Sequence, residues 1–128
     1  MSQVYFDNAA TTAIRPEVLE RMIEVMREVP GNPSSTHAVG RKAKSIIEQA
    51  RKTIANYLHV TPGEIVFTSG GTEADNLILQ SAVKDLGVKT IITTKIEHHA
   101  VLNTVNYLSE NYSIEIVYLD LDENGQIN

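Results

Sequence analysis

The chain has 128 residues, a net charge of −5 and no cysteine. That length is enough for one domain with a real core, while the negative balance argues against non-specific nucleic-acid or anionic-membrane binding. The absence of cysteine excludes disulfides and thiolate metal sites, no metal centre is expected, and no targeting segment or long apolar span is visible, so the expectation is a soluble, cytoplasmic α/β chain.

Val4-Tyr5-Phe6 is a short apolar start, followed by the turn-favouring Asp7-Asn8-Ala9-Ala10-Thr11-Thr12. This stretch reads either as a solvated loop or as a substrate-facing segment whose small residues allow close approach. Pro16 suits the first position of a helix. Val18, Met22, Val25, Met26 and Val29 form one apolar stripe, which predicts core positions for the methionines, and Pro30-Gly31 ends the helix. Residues 31–37 form a loop, in which His37 either faces a ligand or simply precedes the next helix. That helix is predicted over Ala38–Leu58, with Ala43, Ile46, Ile47, Ala50, Ile54 and Leu58 inward. Its charged residues, Arg51 among them, read as a solvated face.

After the turn Thr61-Pro62-Gly63-Glu64, the apolar run Ile65-Val66-Phe67 predicts a strand. Thr68-Ser69-Gly70-Gly71-Thr72-Glu73 follows, and a helix is predicted from Thr72 to Leu86, with Leu77, Ile78, Ala82, Val83 and Leu86 near one face. Gly87 sits where a left-handed residue is expected. Thr90–Thr94 reads as a second strand. Thr94-Lys95-Ile96-Glu97 has capping-box spacing and predicts a helix start there, with Ala100, Val101, Val105 and Leu108 inward. Ser113–Leu119 reads as a third strand, and Asp122-Glu123-Asn124-Gly125 as a turn. Strands alternating with helices predict a sheet that is at least partly parallel, with helices packed on it.

The glycine stretch carries the most chemistry. Strand, glycine turn and helix start aim backbone N–H groups and the positive end of a helix dipole at one point, which suits a phosphate. Gly70 and Gly71 permit a tight turn and close approach of a ligand, and Thr72 suits either the N-cap or a hydrogen bond to a phosphate oxygen. The stretch is neither a Walker A loop nor a dinucleotide fingerprint, and an ordinary capped helix after a buried strand is the plain alternative. Ligands of such sheets sit beyond the carboxyl ends of the strands. Glu97-His98-His99 follows the next strand, so the two stretches are expected to converge on one pocket. A neutral His98 ring at a helix start suits stacking on an electron-poor aromatic ring; the plain alternative is that the histidines decorate an exposed first turn.

Taken together, Val4–Thr12, Gly31-Asn32-Pro33-Ser34-Ser35-Thr36-His37 with Gly40-Arg41, Phe67–Glu73 and Glu97-His98-His99-Ala100-Val101-Leu102 resemble the opening part of the cysteine desulfurases of the NifS/IscS class. These are pyridoxal-phosphate (PLP) enzymes with the aspartate aminotransferase fold. The motifs occur in the family's order and cover nearly the whole chain. The resemblance implies an α/β fold class, the N-terminal part of the fold type I large domain, with helices on a mostly parallel sheet. Residues 1–14 would line the substrate side, and 15–128 would be an incomplete PLP-binding large domain. Gly71 and Thr72 would bind the cofactor phosphate. His98, rather than His99, would stack on the pyridine ring and assist proton transfer, and Asn8-Ala9-Ala10 would line the substrate side.

The family's activity converts L-cysteine to L-alanine and an enzyme-bound persulfide. The resemblance further implies a homodimer and sulfur-acceptor partners such as iron–sulfur cluster scaffolds. The family's cofactor lysine follows a Ser-x-His motif, which is absent here, and no cysteine is available to carry a persulfide. The aspartate on the pyridine nitrogen and the arginine for the substrate carboxylate belong to later parts of the family's chain. The whole protein and residues 1–128 alone are therefore distinct questions, the latter expected to be inactive. A related PLP lyase or aminotransferase, or a non-catalytic phosphate-binding or interaction module, are the alternatives; a reading frame that continues beyond Asn128 into a Ser-x-His-Lys motif separates the enzymes from the module, and a cysteine on a later mobile loop separates the desulfurase from its relatives.

Overall fold

A computed structural model describes residues 4–127, so the first three positions of the 1–14 segment lie outside the described residues. The chain divides into two compact units, Met1–Ile65 and Val66–Asn128.

The first unit is helical. Helix α1 spans Pro16–Glu28, with Pro16 in its first turn after an extended Arg15. It ends at Val29, directly before Pro30, where the ring disfavours a helical predecessor. The expected core positions for the methionines are not realised: α1 buries no residue, and Met22 and Met26 are 46% and 76% exposed. Periodicity marks an apolar face correctly, but whether anything covers that face is decided outside the helix.

Helix α2 spans Ala38–Leu58, as its pattern predicts. The loop before it closes on the helix start. A Cβ on Gly40 would fall 2.5 Å from the Ser35 carbonyl oxygen and 2.7 Å from that of Asn32. Asn32 Oδ1 accepts from Ser34 N–H at 2.9 Å, and the Arg41 guanidinium donates to the Thr36 carbonyl. His37 is the N-cap, its Nδ1 accepting from Gly40 N–H at 3.3 Å, so it serves the helix start. The helix ends on His59 in the left-handed conformation (φ 57°, ψ 39°), with Val60 N–H reaching the Ala55 carbonyl at 3.0 Å.

Three of the inward expectations for α2 fail. Only Gly40, Ala43 and Ala55 are buried, while Ala50, Ile54 and Leu58 are exposed. Arg51 is not on a solvated face either. Its guanidinium is partly buried, pairs with Glu48 at 3.3 Å and donates to the Ile65 carbonyl, tying α2 to the chain after the single 3₁₀ turn Pro62–Glu64.

The second unit is α/β. Helix α3 spans Gly71–Lys84, strand β1 Thr90–Thr93, helix α4 His99–Asn111 and strand β2 Glu115–Tyr118. The strands pair in parallel, with Thr90 opposite Glu115 and Thr93 opposite Tyr118, as the alternating pattern predicts. Gly87 has φ +69°, the expected left-handed residue. The core lies under α4, whose Ala100, Thr104, Val105 and Leu108 are buried on one helical stripe. On α3 only Val83 is buried; Leu77 and Ile78 are exposed, as is Leu86 just beyond the helix. The strand predicted at 65–67 does not form. A strand is defined by its ladder, and the sheet of the described residues consists of β1 and β2.

Candidate functional site

The predicted N-cap at Thr72 is displaced by two residues. Gly70 is the N-cap of α3, and Thr72 lies inside its first turn. The first helical hydrogen bond runs from Ala74 N–H to the Gly70 carbonyl at 3.2 Å. Helix geometry therefore leaves the N–H groups of Gly71, Thr72 and Glu73 without an intrahelical acceptor, at the positive end of the dipole. Glu73 folds back, and its Oε2 accepts from Ser69 N–H at 2.6 Å. That bond holds the Glu73 carboxyl below its usual range and fixes the approach to the turn.

The reason for the glycines also differs from the expected tight turn. Gly70 is extended (φ 167°), a conformation any residue adopts. A Cβ on Gly70 or Gly71 would meet no atom within 4 Å. Packing within the chain does not require glycine at these positions, and the space a side chain would fill lies open to a ligand.

Helix α4 starts later than its capping-box spacing predicts. Residues 95–97 form a turn after β1, and His98 is the N-cap. Its Nδ1 accepts from Ala100 N–H at 3.1 Å. An accepting Nδ1 carries no proton, so the neutral ring in this arrangement bears its proton on Nε2. The N-cap role thus falls to the His98 side chain, on the second helical N–H, and not to Thr94.

Thr72 and His98 line one cleft of about 620 Å³, formed between α3 and α4. His99 lines it too; the two rings stand 6.3 Å apart and are inclined by 59°. Asn76 and Gln80 continue the α3 wall below Thr72, and Asn103, Thr104 and Tyr107 continue the α4 wall. The cleft thus brings together Thr72, in the first turn of α3, and the His98 imidazole, while Gly71 is not among its lining residues; a helix start and a hydroxyl are groups that suit an anion. Sequence reading assigned no role to Asn76, Gln80, Asn103, Thr104 or Tyr107. The available signal was polar spacing: Thr72, Asn76 and Gln80 recur every fourth residue, as do His99, Asn103 and Tyr107, which places each set on one helix face. Asn8, Ala9 and Ala10 lie in the first unit, in an exposed turn closed by Ala10 and Thr11 N–H groups on the Asp7 carbonyl at 3.1 and 3.2 Å.

Residues 4–128 match the class-V aminotransferase family, and the chain belongs to it. It is 48% identical to the putative cysteine desulfurase IscS 1 of Bacillus subtilis (strain 168), over 100% of this chain and 34% of that protein. The solved structure of a NifS-like protein superposes with a TM-score of 0.90 at 44% identity, covering 99% of this chain and 35% of the other. SspA, solved in complex with cysteine, superposes at 0.84 and 40% identity over 97% and 36%. The fold is thus that of the NifS-like proteins, and the chain spans about a third of the length of the relatives it matches. Among the described residues no helix is long and apolar enough to cross a membrane.

Proposed function

We propose that this chain is the cofactor-holding N-terminal part of a PLP-dependent cysteine desulfurase that converts L-cysteine to L-alanine and an enzyme-bound persulfide. The observation that carries the reading is the shared cleft of Thr72 and His98, supported by the likeness to cysteine desulfurases. In this reading Gly71 and Thr72 hold the cofactor phosphate through backbone N–H groups and the Thr72 hydroxyl. With a net charge of −5, the anion is attracted by these local dipoles rather than by a basic surface. His98 covers the cofactor ring with its neutral imidazole and keeps a proton on Nε2, available for transfer. When bound, PLP supplies the electron sink for bonds broken at the substrate's carbon atoms. Asn8, Ala9 and Ala10 line the substrate side within a 1–14 segment, and 15–128 belong to the large domain.

The lysine that ties the cofactor and the thiolate that takes the sulfur come from outside these residues, since the chain has no cysteine and no Ser-x-His-Lys motif. The whole enzyme is proposed to be a cytoplasmic homodimer that delivers sulfur to iron–sulfur scaffolds or other acceptor proteins. The test is to purify the full-length protein, record its cofactor absorbance, and assay alanine and sulfide from L-cysteine. Stoichiometric PLP with alanine formation is expected. A protein that binds no PLP, or binds it and yields no alanine, overturns the proposal.

A further inference from the structure

We propose that Asn76 and Thr104 are positioning residues, and that the hydrogen bond between them sets where His98 stands relative to the open N-terminus of α3. The functional meaning of this placement rests on the cofactor site proposed above. Thr104 Oγ1 donates to Asn76 Oδ1 at 2.7 Å, and Asn76 Nδ2 donates to the Thr72 carbonyl at 2.8 Å. The Thr72 carbonyl can only accept, which orients the Asn76 amide and leaves its oxygen facing Thr104. That carbonyl shares one rigid peptide plane with Glu73 N–H, one of the amides at the helix end. Asn76 therefore fixes the direction of a donor in the anion site.

At the other end, Thr104 Oγ1 also lies 2.8 Å from the Ala100 carbonyl, and Ala100 N–H is held by His98 Nδ1 at 3.1 Å. The single Thr104 hydroxyl proton is shared between the Asn76 Oδ1 and Ala100 carbonyl oxygens, and Ala100 joins that contact covalently to the amide that His98 caps, so the link from the first turn of α3 to the start of α4 runs through hydrogen bonds and the α4 backbone together. Back-bonding to the carbonyl one turn earlier is ordinary for a helical threonine, but it does not account for the bond to another helix. Thr104 is 5% exposed among the buried Ala100, Val105 and Leu108, where water is a poor substitute partner. Among the described residues this is the side-chain hydrogen bond that joins α3 to α4. The other polar link sits at the far end of α3, where Lys84 Nζ lies 5.9 and 5.6 Å from the ring centroids of Tyr107 and Tyr112.

The test uses the full-length protein with Thr104→Val, Thr104→Ser, Asn76→Ala, the Asn76→Ala/Thr104→Val pair, and Lys84→Met as a control for weakened helix contact. Three quantities are read: PLP affinity of the apoprotein, the ring ¹H–¹⁵N resonances of His98 without cofactor, and the melting temperature. Thr104→Val is expected to weaken PLP binding about tenfold and to move the His98 resonances, with Thr104→Ser restoring both. The double variant should bind no worse than the weaker single variant, the signature of one shared interaction. Lys84→Met should lower the melting temperature while leaving the His98 resonances in place. Should Thr104→Val not fold, Asn76→Ala breaks the same bond from its more exposed side. Unmoved His98 resonances with PLP affinity within about twofold of wild type, or double-variant losses that equal the product of the single ones, overturn the assignment. A wild type that binds no PLP sinks the cofactor site instead, and the apoprotein resonances still decide the positioning role.

Discussion

Each unit of this chain opens a helix after a loop containing glycine and small polar residues, and the two loops do opposite things with their polar groups. In the first unit, the Asn32 and His37 side chains and the Thr36 carbonyl make hydrogen bonds within the loop and to the start of α2, and Gly40 is required because its Cβ would fall 2.5 Å from the Ser35 carbonyl oxygen. In the second, the glycines at 70 and 71 face open space and the first N–H groups of α3 are left for an external acceptor. Both stretches carry the resemblance to the cysteine desulfurases. One builds a local structure and the other is the proposed anion site. The difference lies in where the hydrogen bonds go, which residue type alone does not reveal.

The strongest test of this contrast concerns chemistry. Residues 1–128 incubated with PLP and L-cysteine are expected to form no alanine above a no-protein control, because the proposed anion site supplies neither lysine nor thiolate for the reaction. Alanine at an enzyme-like rate would show that catalytic groups have been overlooked on this chain.

The glycines give the next largest effect, with opposite readouts. In the full-length protein, Gly40→Ala is expected to destabilise by about 1–3 kcal/mol in denaturant unfolding, because backbone atoms cannot retreat from a new methyl group. Gly71→Ala is expected to leave stability within about 0.5 kcal/mol and instead to reduce PLP retention on dialysis. If both variants lose stability equally, the open space at Gly71 is not a ligand site. Thr72→Val is a smaller change at the same place. It should weaken PLP retention by roughly one charge-assisted hydrogen bond, about 1.5–3 kcal/mol, or less where backbone amides carry most of the contact. Unchanged retention would remove the hydroxyl from the site.

What was legible in the sequence follows the same division between local and non-local determinants. The bounds of α2 were readable because a helix start, an apolar period and a following turn are all local signals. So was the parallel pairing of β1 and β2, since α4 intervenes between the strands. The strand at 65–67 was not, because its existence depends on a neighbour rather than on its own apolar residues. The start of α4 was misplaced because Thr94–Glu97 has the right spacing for a capping box, whereas His98 makes the actual cap on Ala100. Met26 and Ile78 lie on faces that periodicity identifies correctly, yet they are 76% and 67% exposed. The Asn76–Thr104 bond joins residues 28 positions apart, beyond the reach of any local pattern. The polar stripes on α3 and α4 pointed to it only once the helices were known to face one another.

The smallest expected effect separates the units by acidification. Each has an exposed glutamate whose carboxylate closes a turn. Glu64 accepts from the Thr61 hydroxyl at 2.7 Å and its N–H at 2.8 Å, and Glu73 accepts from Ser69 N–H at 2.6 Å. These bonds favour the ionised forms, so both carboxyls titrate below their ordinary value of 4.5. Because the folded value is depressed, the stabilisation is present above the unfolded value and is lost as pH falls through the folded one. Below pH 4.5, the Thr61 and Ser69 amide resonances should therefore shift with depressed midpoints. The consequences differ: releasing Thr61 loosens a single 3₁₀ turn, whereas releasing Ser69 loosens the approach to the amides at the start of α3. Glu73→Gln keeps an acceptor for Ser69 N–H but removes the titration, so the Ser69 midpoint should vanish while that of Thr61 persists. A Ser69 resonance that still titrates in Glu73→Gln would mean that another group sets the geometry of the turn.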